Sequence, residues 1–137
     1  MFTTSKNTIQ TYRQHFQTRL RRQRERQEAA RLQALQAIHE RIPDLLAVYP
    51  SVRRAYLFGS VIHPGTFHTS SDIDIAVEGM TVQEYFALWR ALEQALPEWR
   101  IDLCDITAPS PFVACIHRTG VLLYERTDPS VTSRNTR

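Results

Sequence analysis

Asp72 and Asp74 stand two apart in the segment DIDIAV, residues 72–77. On a strand, alternate side chains share a face, so both carboxylates point one way while Ile73 and Ile75 point the other. Their Cα atoms would lie about 7 Å apart. Neighbouring carboxylates repel unless a cation sits between them. On an apolar strand the fitting cation is a divalent metal, and oxygen-only ligation favours Mg²⁺ or Mn²⁺ held together with substrate phosphates. Alone, the pair reads equally well as the solvent face of an edge strand. Asp102 changes that balance. It sits in a second apolar run, IDLCDI, 101–106. If the two strands are neighbours, three acids could hold two metal ions, which clamp the attacking and leaving oxygens of phosphoryl or nucleotidyl transfer. Asp105 is out of register with Asp102 and reads as a strand-end turn residue. Gly59-Ser60 closes an earlier apolar run, AYLF. Glycine allows close approach of backbone to ligand, and N–H groups at such a turn bind phosphate. By itself Gly-Ser is an ordinary turn.

These residues need elements to hold them. Residues 8 to about 41 contain no Gly and no Pro and are rich in Gln, Arg, Glu, Ala and Leu, all helix formers. Ile9, Tyr12, Phe16 and Leu20 step by three or four, and the stepping resumes at Leu32, Leu35, Ile38 and Ile42. One long helix, or two in tandem with a weak middle at RRQRERQ, is expected. Pro43 should end or kink it, with a short helix DLLAVY beyond. From Arg54 the period becomes that of strands. Strands are expected at 55–58, 72–77, 101–106 and 121–125, separated by a polar loop with His63 and His68, a helix opened by Thr81 and Glu84 as a capping box, and a short helix. Ser110-Pro111 should start that short helix and Gly120 should end it as a C′ glycine. This order gives an α/β (α+β) domain, a small mixed sheet of about four strands with helices on one side.

The chain of 137 residues is one domain's worth, and its 42% apolar and 23% charged residues are those of an ordinary globular protein. No run approaches the roughly 18 apolar residues of a membrane span, and the N-terminus has no unbroken apolar core, so no signal peptide is expected. Cys104 and Cys115 are in neither disulfide-framework nor metal-ligand spacing and fit a cytoplasmic setting. The net charge of +3 is uneven: residues 1–41 hold nine Lys/Arg and three Glu, residues 42–137 eight Lys/Arg and eleven Asp/Glu. The basic helix around Arg19, Arg21, Arg22, Arg24 and Arg26 reads as a solvated surface or as a partner-binding or self-pairing helix. Charge alone also supports non-specific nucleic-acid binding, which the lack of an aromatic stacking platform disfavours.

LFGS (57–60), SSDIDIAV (70–77) and IDLCD (101–105) together resemble the nucleotidyltransferase superfamily typified by DNA polymerase β, and most of all its minimal nucleotidyltransferase (MNT) branch. The resemblance covers roughly residues 30–125. It implies a polymerase-β-like fold with Gly59, Ser60 and Ser71 binding the nucleotide, the first two at the β- and γ-phosphates. It implies Asp72 and Asp74 as ligands of two Mg²⁺ ions, and Asp102 as a ligand of the catalytic ion that helps deprotonate an attacking hydroxyl. The spacer of eleven residues after Ser60 is one longer than the family pattern, and Val61-Ile62-His63 stands where many relatives carry an Arg. MNT proteins are often antitoxins that attach AMP from ATP to a tyrosine of a helical HEPN ribonuclease toxin, so the resemblance implies that partner and that reaction. The alternatives are the same chemistry on a small hydroxyl compound, or an antitoxin that acts by binding alone. The expected division is a basic helical extension at 1–28, a nucleotidyltransferase domain at 29–126 and a disordered tail at 127–137.

Overall fold

The computed structural model describes residues 2–127, with side chains from residue 6 onward. Of the tail expected at 127–137, residues 128–137 lie outside the described residues.

The helix-forming run at the N-terminus is one continuous helix, α1, Phe2–Ala47, with Pro43 inside it. Neither the weak middle nor the proline breaks it. Pro43 removes one backbone hydrogen bond, a cost of about 3 kcal/mol in a helix interior. The stripe Ala34, Ile38, Ile42 and Leu46 is fully buried on both sides of the proline, and burying each large side chain is worth about 1.5–3 kcal/mol. Packing therefore outweighs the local preference. Arg126 holds the far end of α1, donating to the carbonyls of Ala47 (3.1 Å) and Tyr49 (2.8 Å).

The strands are β1, Arg54–Phe58; β2, Asp72–Glu78; β3, Arg100–Asp105; and β4, Val121–Glu125. Their order in the sheet is β3-β2-β1-β4. β1 runs antiparallel to β2 and to β4, and β2 runs parallel to β3. The parallel pair is joined by α2, Val82–Ala95. Thr81 caps it as expected, its hydroxyl accepting from the Glu84 N–H at 3.2 Å. Ala55, Leu57, Ile73, Ile75, Val77, Ile101 and Leu103 make one apolar face with α1 and α2.

The last helix, α3, Pro111–Thr119, starts at Ser110, whose hydroxyl accepts from the Val113 N–H at 3.1 Å. It packs on the opposite face. Val113 and Ile116 cover Tyr56, Ala76 and Ile106. The helices therefore flank both sides of the sheet, not one. The reason is that β1 and β2 are apolar on both faces in their outer halves, and that second patch must be buried too. Gly120 also differs from expectation. Its φ of −72° is an ordinary value, so no left-handed cap forms. A Cβ there would stand 2.6 Å from the Ile116 carbonyl oxygen and 3.2 Å from that of Leu57. Close approach to the last turn of α3, with β1 next nearest, and not backbone handedness, calls for glycine.

Candidate active site

The second face of the sheet has two halves. α3 covers one. The other carries the acids. In the parallel ladder Asp74 is paired with Asp102 and Asp72 with Arg100. In the antiparallel ladder Phe58 is paired with Asp74. Alternation puts Asp72, Asp74, Asp102 and Phe58 on one face. The three expected acids are thus brought together, and β3 is the neighbour that the argument from Asp102 required.

Asp74 lies at the centre and is half-buried, while Asp72 and Asp102 are exposed. Burial, then the charges of Asp102 and Asp72, then a hydrogen bond with Asp102 raise the Asp74 pKa to about 6. The Cys104 thiol, half-buried on the same face of β3, is pushed up by burial and by Asp102 and Asp74. Asp105 turns away as expected and accepts from the Thr107 N–H at 2.9 Å.

β1 ends at Gly59, which opens a 3-10 turn, Gly59–Ile62. Gly59 has φ +76°, and a Cβ there would collide with the Asp74 carboxylate. A side chain at 59 is thus excluded twice, by handedness and by space. The turn backbone lies directly against the central acid. Ser60 follows in the turn, and its carbonyl accepts from the His63 N–H at 3.1 Å and the Thr66 hydroxyl at 3.1 Å. Ser71 stands at the entry to β2, its hydroxyl accepting from the His68 N–H at 2.8 Å. It caps the loop, and it keeps its own proton free to donate. The loop between Ser60 and Asp72 is anchored by Phe67, which is 1% exposed. Gly65, φ +85°, has open space around it. His63 and His68 are both exposed.

Two cations border the site that sequence reasoning did not single out. Arg100 Nε is 3.9 Å from Asp72 Oδ1, with the arginine 83% exposed. Arg31, from α1, donates to the Val61 carbonyl at 3.2 Å and pairs with Glu28 at 2.6 Å. It ties the long helix to the turn that carries Gly59 and Ser60. The only signal for Arg100 was its place just before IDLCD. Arg31 is thirty residues from Val61 and gave none.

The donor chemistry fits a hard divalent cation, with three carboxylates and no sulfur or nitrogen ligand among them. Among the described residues no three His, Cys, Asp or Glu side chains converge as a ready metal cage. Asp74 and Asp102 stand opposite each other in the ladder, and Asp72 leans toward Arg100. Rotation of the exposed Asp72 side chain would turn it toward the other two.

The sequence matches the family described as Polymerase beta, Nucleotidyltransferase over residues 40–129. The chain belongs to that nucleotidyltransferase family. The expected fold and the acid-bearing strands both fall within the matched stretch, while most of α1 precedes it. A crystal structure of a toxin–antitoxin with AMP-PNP contains a chain 33% identical, matched over 65% of this chain and 74% of that one, with a TM-score of 0.53. A tri-AMPylated Shewanella oneidensis HEPN toxin in complex with MNT antitoxin gives 26% identity, 73% coverage of each chain and a TM-score of 0.40. No curated protein matches significantly. No helix among the described residues is long and apolar enough to cross a membrane.

Proposed function

We propose that this nucleotidyltransferase transfers AMP from ATP to a hydroxyl, most simply a tyrosine, of a HEPN-type toxin and so acts as an antitoxin. The observation that carries the chemistry is the pairing of Asp74 with Asp102 across a parallel ladder, with Asp72 on the same face and the Gly59 turn against Asp74. The partner is suggested by the resemblance of the motifs to MNT antitoxins and by the toxin–antitoxin neighbour with AMP-PNP.

In this reading Asp72, Asp74 and Asp102 hold divalent ions, Mg²⁺ or Mn²⁺, which when bound neutralise the triphosphate and acidify the attacking hydroxyl. The Gly59 backbone and the Ser60 hydroxyl bind the terminal phosphates, with Ser71 donating from the loop. That orientation leaves the α-phosphorus over Asp74 and directs pyrophosphate out along the 3-10 turn. Asp102, exposed on the edge strand, takes the proton of the attacking hydroxyl at a carboxylate oxygen. The bond formed joins acceptor oxygen to α-phosphorus, and the bond broken joins that phosphorus to the bridging oxygen of pyrophosphate.

Co-expression with a HEPN-type partner, followed by intact-mass analysis of both chains, tests the proposal. The partner should gain one or more AMP masses. With labelled ATP, α-phosphate label should appear on the partner and γ-phosphate label should not. Transfer of γ-label would make the protein a kinase. Stoichiometric binding without transfer would favour neutralisation by contact, and transfer only to a small hydroxyl compound would replace the protein acceptor.

A further inference from the structure

β3 is an edge strand. It has ladder partners only on β2, so every second carbonyl points away from the sheet. Among them are those of Ile101 and Leu103, the residues on either side of Asp102. Both are occupied. Tyr85 Oη donates to the Leu103 carbonyl at 2.7 Å and Trp89 Nε1 donates to the Ile101 carbonyl at 3.1 Å. The two rings meet edge to face with centroids 5.6 Å apart, so each fixes the other.

We propose that Tyr85 and Trp89 are positioning residues for Asp102, forming an aromatic clamp that fixes the height and register of the acid opposite Asp74. This rests on the reading of Asp102 as a member of a divalent-cation site. The spacing supports it. Residues i and i+4 on a helix are separated by about 6 Å along its axis. Residues i and i+2 on a strand are separated by about 6.6 Å. A donor pair four apart on α2 therefore matches alternate carbonyls of β3. A slip of one residue would offer carbonyls that point into the sheet and would turn Asp102 to the apolar face. The order is also right: α2 returns antiparallel to β3, so the earlier donor, Tyr85, meets the later carbonyl. Buried Leu88 on the same helix packs into the apolar core beside Leu103 and supplies adhesion without direction. The two hydrogen bonds supply direction. Asp102 itself is exposed, so its own side chain has little packing to hold it, and the backbone is where its position is set.

The test uses the full chain and Mn²⁺ alone as the probe, titrated by calorimetry. Partners in the shell outside metal ligands typically change affinity about 10–100-fold when removed. Tyr85→Phe with Trp89→Phe should weaken Mn²⁺ binding by about tenfold or more, and Tyr85→Phe alone, which deletes one hydroxyl, by less. In an Asp102→Asn background the same pair should have almost no further effect, because the clamp acts through Asp102. Leu88→Ala serves as the stability control and should lower the melting temperature while changing Mn²⁺ affinity by less than about twofold. Equal weakening by Leu88→Ala and by the clamp variants overturns the proposal, since the effect would then be general loosening. So does weakening by Asp102→Asn without weakening by the clamp pair. No Mn²⁺ binding by the wild type, or none of it sensitive to Asp102→Asn, overturns the cation-site reading itself and the clamp with it.

Discussion

Asp74 is the residue on which the site's electrostatics converge. Its carboxyl is raised from 3.8 to about 6, first by burial, then by Asp102 and Asp72. A raised acid destabilises the fold where the unfolded chain has already ionised. Below about pH 4 the group is protonated in both states and costs nothing. Between about pH 4 and 6 only the unfolded chain loses the proton, so stability falls as pH rises through that window and stays lowered above it. Asp74→Asn should raise the melting temperature at pH 7.5 in chelator and flatten the dependence between pH 4 and 6. A lower melting temperature would mean that the carboxylate has a stabilising partner. Asp102 should behave differently, being exposed and on the edge. If it takes the acceptor proton, Asp102→Asn removes an interaction made chiefly in the transition state. Transfer should drop by about 100-fold or more, while ATP binding changes by only a few-fold. Rapid-quench transfer assays and equilibrium ATP titration together check this. Equal losses in both would assign Asp102 to nucleotide binding. The residues that sequence could place at this site were those whose logic is local: the parity of Asp72 and Asp74, and the glycine at the end of an apolar run. Arg100 beside Asp72 depends on parallel register, and the clamp on Asp102 joins residues 12 and 18 positions apart. Neither leaves a local pattern.

At the scale of elements, periodicity located the four strands and three α-helices of the described residues, since each has a buried face of the expected period. It misjudged where local rules compete with packing. Pro43 is a breaker by local preference and yet sits within a helix whose Ile38, Ile42 and Leu46 are 0% exposed. The side on which α3 lies was equally hidden. Tyr56, Ala76 and Ile106 read simply as residues of strands, and the second apolar patch exists only once β1 and β2 are paired. The proline also makes a prediction. Restoring the N–H in a helix interior gains about 3 kcal/mol, offset by about 1 kcal/mol from the freer unfolded chain. Pro43→Ala should therefore stabilise the protein by about 2 kcal/mol in urea unfolding, with an unchanged m-value. Destabilisation would mean that the helix is bent at Pro43 to fit the sheet, and that straightening it strains the contact of Arg41 on α1 with Glu98, between α2 and β3, 2.9 Å.

At the scale of the whole molecule, α1 is two objects in one helix. From about Ala30 onward it is part of the domain, through the buried stripe and through Arg31 at the 3-10 turn. Before that it is exposed on nearly every side: Ile9 is 52%, Tyr12 70% and Phe16 60% exposed. At 1.5 Å per residue, positions 6–26 extend for about 30 Å. The charge asymmetry was legible in the sequence, and so was the apolar stripe. What the sequence could not show is that the stripe finds no partner within its own described chain. A helix of this length without tertiary contacts is only marginally stable in water, and here it continues from a segment already fixed by the domain. Deleting residues 2–26 should therefore remove helical signal from far-UV circular dichroism and leave the melting temperature within about 3 °C of the full chain, because no core side chain among the described residues is lost. The same truncation should leave Mn²⁺ and ATP binding unchanged, since Arg31 and Glu28 remain. If the stripe serves the protein acceptor, the truncated chain should bind that partner more weakly, and the loss should persist at 0.5 M salt, where phosphate-driven contacts would already have dissolved. A truncated protein that is insoluble, or that melts far lower, would show that the extension belongs to the fold. Weakened binding only at low salt would assign the arginines, not the apolar stripe, to the contact.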